Sequence, residues 1–344
     1  ARDRIWVANI SGWDNIRLGR RRDGENDEEV NNLDINYSGS RSATGFNWQR
    51  LFGDRGVGLF GVTHSDARVK SQVRDLARGG PIPPGVDFDQ LLNGSPTVFA
   101  DDSSERETTL KFDYTGYIPA FEKLQAGGSF KSFGINYRTE APFGSNNPFS
   151  PVADVNPFFV RQNYRASQTG LYLQSTRSLG SRVSLTAGGR FDRYSILDAV
   201  RFSPRMGLSV RLTDRLSWRA SYGQYFQQPF FLFISAFPEN RGLTPFRADH
   251  YVTGFTYVAS PTLRFTLEGY AKEYKDYPVS TQFPQLSLAN IGDTFNVRDL
   301  LFPMTSAGRG RVAGVELFVE KKFQDKWFGQ ANLSYSRTRY SGLD

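Results

Sequence analysis

Long segments in which apolar and polar residues alternate constrain the fold of this chain more than any other feature. In one segment Val183, Leu185, Ala187 and Phe191 alternate with polar or small residues, and three later segments repeat the pattern. Because successive side chains of a strand point to opposite faces, this period predicts strands with one apolar and one polar face. The segments run about 11 to 15 residues, longer than a typical globular strand and long enough to cross a bilayer at a tilt.

Thirteen strands are predicted, and the connections between them alternate in length. The strands lie near 4–17, 30–51, 56–70, 105–118, 122–136, 162–178, 182–195, 202–212, 215–226, 249–259, 262–275, 310–322 and 327–340. Short turns are expected at Phe52–Gly56, Pro119–Glu122, Leu179–Arg182, Leu212–Arg215, Ala259–Thr262 and Phe323–Lys326. Longer loops are expected near Leu18–Glu29, Ser71–Ser104, Tyr137–Arg161, Gln227–Ala248 and Asp276–Arg309, with Ile196–Arg201 as a short exception.

This alternation of connections indicates the fold class. Short turns at one end and long loops at the other are typical of outer-membrane barrels, whereas a soluble β-sandwich has no reason to keep this rule. We therefore predict an all-β, antiparallel transmembrane β-barrel over residues 1–344.

Composition agrees with separate apolar and polar faces. Aromatic residues make up 15% of the 344 residues, yet the mean hydropathy is −0.47. The chain has no Cys and only two His, His64 and His250, which excludes disulfide scaffolds, cysteine nucleophiles and sites built from several histidines. The longest apolar run, Phe230 to Phe237, is far shorter than the roughly 18 residues of a membrane-spanning helix.

Several segments are similar to barrel strands of TonB-dependent outer-membrane receptors. They are, in order, LTAGGRFDRYS at Leu185–Ser195, FSPRMGLSV at Phe202–Val210, LTDRLSWRASYG at Leu212–Gly223 and GRVAGVEL at Gly310–Leu317. The similarity is dense over 165–340 and extends only to the architecture over 1–164. It implies a barrel of about 22 strands, with an N-terminal plug that docks to TonB in the periplasm.

The strand count suggests how the chain relates to such a barrel. Single-chain bacterial barrels have an even number of strands, and thirteen is odd. No segment resembles the plug. We therefore interpret the chain as an internal piece of a larger barrel, and we expect energy-coupled transport of the parent protein rather than of these residues alone.

Two groups of residues are candidates for ligand contact. The first comprises aromatic residues of the most apolar stretch: Phe226, Phe230, Phe231, Phe233 and Phe237. An exposed apolar patch must be covered or used, so this stretch either packs under neighbouring loops, which we favour, touches the outer leaflet, or binds an apolar ligand at the barrel mouth. The second comprises three inward-facing arginines: Arg190, Arg219 and Arg264. For these, pairing with acidic residues across strands is the simpler interpretation.

Charged and aromatic residues elsewhere have simpler interpretations. Two acidic clusters fall in predicted outer loops: Asp23, Glu25, Asp27, Glu28 and Glu29, then Asp101, Asp102, Glu105 and Glu107. Neither has the spacing of an EF-hand, so we interpret both as solvated charge rather than a Ca²⁺ site. The basic run Arg17, Arg20, Arg21 and Arg22 either balances the first cluster or contacts lipopolysaccharide. Outward-facing Trp218, Tyr222, Trp327 and Tyr335 are expected at the lipid interfaces.

Together these features predict an outer-membrane transporter rather than an enzyme. Zinc-protease, nucleophile-elbow and P-loop spacings are absent from the sequence, so we expect no catalytic residue, cofactor or resident metal. The expected role is TonB-dependent uptake of a scarce nutrient such as a siderophore, cobalamin, glycan or peptide across the Gram-negative outer membrane. The expected partners are lipid, lipopolysaccharide and TonB (through a plug), but no nucleic acid. The alternatives are a passive porin-like channel with an inward constriction loop and a soluble all-β surface-binding protein.

Overall fold

Thirteen antiparallel strands form one continuous sheet in the computed structural model, which describes residues 2–19, 33–77, 85–119, 121–141, 158–289, 302–324 and 326–343. The strands are β1 Asp3–Gly19, β2 Leu33–Leu51, β3 Gly56–Asp75, β4 Thr97–Ile118, β5 Glu122–Ala141, β6 Phe158–Leu179, β7 Val183–Tyr194, β8 Ala199–Arg211, β9 Leu216–Gln227, β10 Phe246–Ser260, β11 Leu263–Ser280, β12 Met304–Gln324 and β13 Trp327–Ser341. They follow one another in chain order across the sheet. All thirteen predicted strands are therefore confirmed. Within the described residues β1 and β13 do not pair, so they are its two edges.

The helices are short and lie in the connections. They are α1, Phe88–Gly94, α2, Phe231–Ala236, and a 3-10 helix at Pro238–Gly242. Asp87 caps α1, where its carboxylate accepts hydrogen bonds from the backbone N–H groups of Asp89 and Gln90. Among the described residues, no helix combines the length and apolar character that crossing a membrane requires.

Opposite faces of the sheet differ in polarity, as the alternation predicts. One row runs Trp218, Phe255, Leu267, Leu317 and Leu333 across β9 to β13 and is apolar throughout. The adjacent row, one residue along each strand, runs Arg219, Gly254, Glu268, Glu316 and Ser334. We call the first face outward and the second inward. Because the outward side chains are exposed yet apolar, lipid is the environment that suits them.

The two ends of the sheet differ in the length of their connections. Short connections lie at 52–55, 119–121, 180–182, 212–215, 261–262 and 325–326. At the opposite end, the long-loop end, lie the connections 20–32, 76–96, 142–157, 228–245 and 281–303, together with the short connection 195–198. This confirms the predicted alternation, including its exception.

Several strands extend farther toward the long-loop end than predicted. β4 begins at Thr97 rather than near 105, β5 continues to Ala141 and β12 begins at Met304, so parts of three predicted loops are strand. The prediction failed there because, beyond the band of lipid-facing apolar residues, both faces of these strands are polar. The backbone hydrogen bonds between strands nevertheless continue.

The second acidic cluster was consequently misplaced, because Asp101, Asp102, Glu105 and Glu107 lie in β4 and not in a loop. Asp102 stands opposite Lys70, and the Glu107 carboxylate accepts a hydrogen bond from Lys131 Nζ at 2.8 Å. The first acidic cluster and Arg20, Arg21 and Arg22 lie outside the described residues.

The assignment of faces makes a testable prediction. Leu267 lies at the centre of an outward apolar row, so Leu267→Arg should lower the free energy of folding into lipid vesicles by about 2 to 4 kcal/mol. Thr266→Arg is the matched control, because Thr266 is the adjacent residue and faces inward. Denaturant titration in vesicles measures both, and an equal loss in the two variants would contradict the assignment.

Candidate functional site

Residues 228–245, which we call the cap, fold from the long-loop end onto the inward face of the sheet. The cap contains α2 and the 3-10 helix. Along β5, inward Ile135 and Tyr137 are buried whereas outward Asn136 and Arg138 are exposed. This alternation shows which face the cap covers.

On one side the cap packs against β5 and β6. The Phe231 ring lies 4.8 Å from the Phe133 ring and 6.4 Å from the Tyr164 ring, measured between centroids. The buried residues of this cluster are Ile135, Tyr137, Val160, Ala166, Phe231 and Leu232. Ser235 Oγ donates to the Phe231 carbonyl at 2.6 Å and lies 2.7 Å from the Tyr164 hydroxyl, which fixes the helix to β6.

On its other side the cap reaches the connection between β11 and β12. Phe233 and Leu243 are buried with Leu286, Phe302 and Met304. Asn240 is fully buried beside them. Its Nδ2 donates to the carbonyls of Phe233 at 2.7 Å and Phe302 at 3.2 Å, and its Oδ1 accepts from the Met304 N–H at 2.7 Å. The cap thus bridges two distant parts of the sheet.

The structure separates the five aromatic candidates. Phe231 and Phe233 are buried, as the packing interpretation predicts. Phe230, which precedes α2, is 67% exposed, and Phe237 is half-buried. Phe226 shares the outward alternation of Trp218 and Tyr222 on β9, and the Arg201 guanidinium lies 5.8 Å from its ring centroid. Ligand contact by these residues stays a prediction, for which Phe230 is the accessible member.

The inward arginines also differ in their partners. Arg190 makes two hydrogen bonds of 2.7 Å to the Asp192 carboxylate, and Arg264 pairs with Glu320 across strands at 2.9 Å. Arg219 forms no ion pair with a described residue, and it lines a cavity of about 290 Å³ on the inner wall with Glu268, Thr266 and both polar and apolar neighbours. Arg219 is therefore the arginine of the three that is available to a ligand.

A second inward group escaped the sequence analysis. Four residues form one row across neighbouring strands β8 to β11. Arg205 pairs with Gly223, Gly223 with His250, and His250 with Lys272. The Arg205 guanidinium lies 4.8 Å from the ring centroid of Tyr225, whose ring is 4.7 Å from that of His250. Arg205 Nε is buried and has no hydrogen-bond partner among the residues that the structure describes. Alternation could have placed each residue inward, but only the register between strands brings them into one row.

A hydrogen-bonded polar pair lies beneath the cap. Tyr137 donates a hydrogen bond to the Glu105 carboxylate. Among the described residues no group of three or more His, Asp or Glu is arranged to hold a metal ion.

A family model described as TonB dependent receptor-like, beta-barrel matches residues 2–344. The chain belongs to this family. It is accordingly a β-barrel protein whose strands cross the Gram-negative outer membrane, with the long-loop end on the extracellular side. Membership excludes the soluble surface-binding alternative. No curated protein sequence matches the chain.

Solved receptor structures share the fold of this barrel. One is the ferripyoverdine receptor of the outer membrane of Pseudomonas aeruginosa, bound to ferripyoverdine. Its TM-score is 0.66 at 16% sequence identity, and the match covers 98% of this chain and 47% of the receptor. For the ferric enterobactin receptor of the same organism the TM-score is 0.62 at 15% sequence identity, and the match covers 98% of this chain and 52% of the receptor. For the copper transporter OprC the TM-score is 0.57 at 14% sequence identity, and the match covers 98% of this chain and 53% of the transporter. The chain thus spans about half the length of these structures.

Attachment of the cap can be tested at two neighbouring phenylalanines. Phe231→Ala removes a buried ring, which typically costs about 3 to 5 kcal/mol, so α2 should detach from β6. Amide hydrogen exchange over 231–243 should accelerate strongly. Phe230→Ala alters an exposed ring one residue earlier and should leave exchange unchanged; equal effects would show that Phe231 does not anchor the cap.

The second attachment can be tested at Asn240. Asn240→Ala leaves the Met304 N–H and two carbonyls without their partner, at about 1 to 3 kcal/mol for each buried group. We expect faster exchange of the Met304 amide and unchanged exchange in β7. Glu239→Ala, at an exposed neighbouring position, is the control. Retained protection of Met304 in the Asn240 variant would show that the side chain does not hold the cap.

Proposed function

We propose that the protein containing this chain takes up a scarce, anionic small molecule or metal chelate by energy-coupled transport. Family membership over the whole chain carries this proposal. In this family a plug inside the barrel docks to TonB, so the plug and TonB are proposed partners of the whole protein. The metal of a chelate would be cargo and not a cofactor.

The inner wall supports an anionic substrate. Arg205, His250 and Lys272 form one row across β8, β10 and β11, and Arg219 lies on β9 two inward rows nearer the centre of the strands. Within the described part of the chain, Arg219 has no ion-pair partner and the buried Nε–H of Arg205 has no acceptor. Guanidinium groups with unused donors bind carboxylate, phenolate or phosphate oxygens well. The aromatic ring of Tyr225 beside Arg205 adds a stacking surface.

A passive porin-like channel is the second candidate, because the cap folds inward as a constriction loop would. The two functions differ in their need for energy. Uptake through a passive channel follows the concentration gradient, whereas TonB-dependent uptake stops when the inner-membrane proton gradient collapses. A protonophore therefore distinguishes them.

Uptake by cells that produce the whole protein tests the proposal. Ferripyoverdine and ferric enterobactin are suitable probes, because two structural neighbours are receptors for these metal chelates. We expect accumulation of one probe that a protonophore abolishes. Uptake that persists with the protonophore would favour the passive channel.

Equilibrium binding tests the cationic row. Loss of a hydrogen bond to a charged group costs about 1.5 to 3 kcal/mol, so Arg205→Gln and Arg219→Gln should each raise the Kd of the transported probe about tenfold or more. Arg177→Gln, on the outward face at the short-turn end, is the control. Unchanged Kd values in both inward variants would remove the inner wall from the binding site.

A further inference from the structure

Four arginines gather on the inward face of β7 to β9 at the short-turn end. Arg211 is the last residue of β8, Arg182 and Arg215 lie in the adjoining turns, and Arg219 lies on β9. Each follows the inward alternation of its strand, and all four are exposed. Because β7, β8 and β9 each pair with a strand on both sides, this surface is not an edge of the sheet. We call the four residues the basal arginine cluster.

The register brings these like charges together. The Arg211 N–H donates a hydrogen bond of 2.7 Å to the Arg182 carbonyl, which continues the pairing of β7 with β8 and sets the two residues opposite each other. Arg211 also pairs with Ser217 of β9. Arg215 and Arg219 lie two residues to either side of Ser217, so both are diagonal neighbours of the same arginine, within reach of its long side chain. Four positive charges therefore share one patch of the wall, although like charges directly opposed on two strands destabilise a sheet.

Acidic side chains of the described residues do not neutralise this cluster. None of the four guanidinium groups forms an ion pair or a hydrogen bond with another described residue, and this includes the exposed Asp214 beside Arg215. The first acidic residue in the row of Arg219 is Glu268, which is two strands away. The inward residues of β6 and β10 beside the cluster are uncharged: Thr176, Ser178, Thr256 and Val258. The cluster thus presents positive charge that this part of the chain leaves unneutralised.

The cavity of about 290 Å³ on the inner wall adjoins the cluster on its long-loop side. Arg219 lines this cavity together with small residues that carry hydroxyl groups: Ser184, Ser209, Ser221 and Thr256. Ser184 and Ser209 stand opposite each other, one inward row above the opposed arginines. Hydroxyl and guanidinium groups both donate hydrogen bonds to negatively charged oxygens. Small side chains therefore leave a space whose walls and base present hydrogen-bond donors.

We infer that the basal arginine cluster and this cavity bind a small dissolved oxyanion with several negative charges, of the phosphate or polycarboxylate class. Each guanidinium presents a planar fork of donors that matches the oxygens of such groups in pairs. An anion bound between Arg182 and Arg211 would relieve their repulsion. Because the cluster faces the lumen, a dissolved molecule reaches it more readily than a lipid head group does.

This site goes beyond the proposed substrate site, because it lies at the periplasmic end of the wall. Arg211 lies six residues beyond Arg205 along β8, which is about 20 Å at about 3.4 Å per residue. Arg219 lies between the two. Binding of an oxyanion here does not depend on energy-coupled transport, so failure of the uptake experiment would leave this inference untouched.

The test compares two double variants of the whole protein, purified in a neutral detergent. R182Q/R211Q removes the opposed pair of the cluster. R177Q/R193Q removes two exposed outward arginines of the hairpin formed by β6 and β7 and is the matched control. Isothermal titration calorimetry measures the binding of inorganic pyrophosphate, of citrate and of soluble short-chain phosphatidylglycerol to each protein.

We expect R177Q/R193Q to bind pyrophosphate and citrate as wild type does, and R182Q/R211Q to bind both more weakly by about tenfold or more. Added salt should weaken binding to wild type, because it screens the attraction between charges. Phosphatidylglycerol should bind all three proteins equally.

Three results would overturn the inference. The first is equal binding of pyrophosphate by R182Q/R211Q and wild type. The second is no binding of pyrophosphate by wild type, which would show that carboxylates elsewhere in the whole protein, such as those of the plug, neutralise the cluster. The third is phosphatidylglycerol that binds wild type more tightly than pyrophosphate and R182Q/R211Q more weakly than wild type, which would indicate a lipid site.

Folding of the variants is checked separately by their heat-dependent mobility in gels. Removal of two opposed positive charges should not destabilise the sheet. R182K/R211K keeps the charges and loses the forked geometry, so it should bind pyrophosphate with intermediate affinity. If R182Q/R211Q fails to fold, the single variant R211Q replaces it, and wild-type affinity in both R211Q and R182K/R211K would refute the inference.

Discussion

The whole molecule depends on one constraint: backbone N–H and C=O groups that face lipid find no water to bind, so neighbouring strands must satisfy them. The sheet meets this constraint by pairing each strand with its neighbours along the chain from β1 to β13. Because the ladder satisfies the backbone independently of side chains, the two faces are free to differ completely. That freedom places Trp218 and Leu267 against lipid and Arg219 and Glu268 against water only one residue away.

Alternation predicted the strands well where the chain crosses the lipid band, and poorly beyond it. Strands β9, β11 and β13 could be located from sequence because lipid demands apolar residues at every second position. Thr97 was missed as the start of β4, because Asp101 to Ser104 are polar on both faces although the ladder continues. The position of the cap could not be predicted, since Phe231 meets Phe133 only through folding of distant segments. The row of Arg205, His250 and Lys272 depends on the register of four strands, which no local pattern encodes.

The inner wall and the outer wall use arginine in different ways. Inside, Arg190 and Arg264 are held by Asp192 and Glu320, and these pairs give the wall a fixed shape. Arg205 and Arg219 retain donors that a ligand can use. On the outer wall, beyond Tyr335, Arg311 of β12 stands directly opposite Arg339 of β13. On the inner wall, arginine thus fixes the shape of the wall where an acidic residue is within reach, and it offers binding groups where none of the described acidic residues pairs with it.

The short connection at 195–198 gains significance from its position under the cap. Ile196 packs against the cluster that holds Phe231, and Asp198 adopts a left-handed backbone conformation, with φ 44°, to turn the chain in so few residues. A connection that is not packed against the rest of the molecule can lengthen at little cost. A longer segment at this position would clash with the cap that covers it and would displace the cap. Variation in loop length among related barrels should therefore spare this one position wherever a cap of this kind is kept.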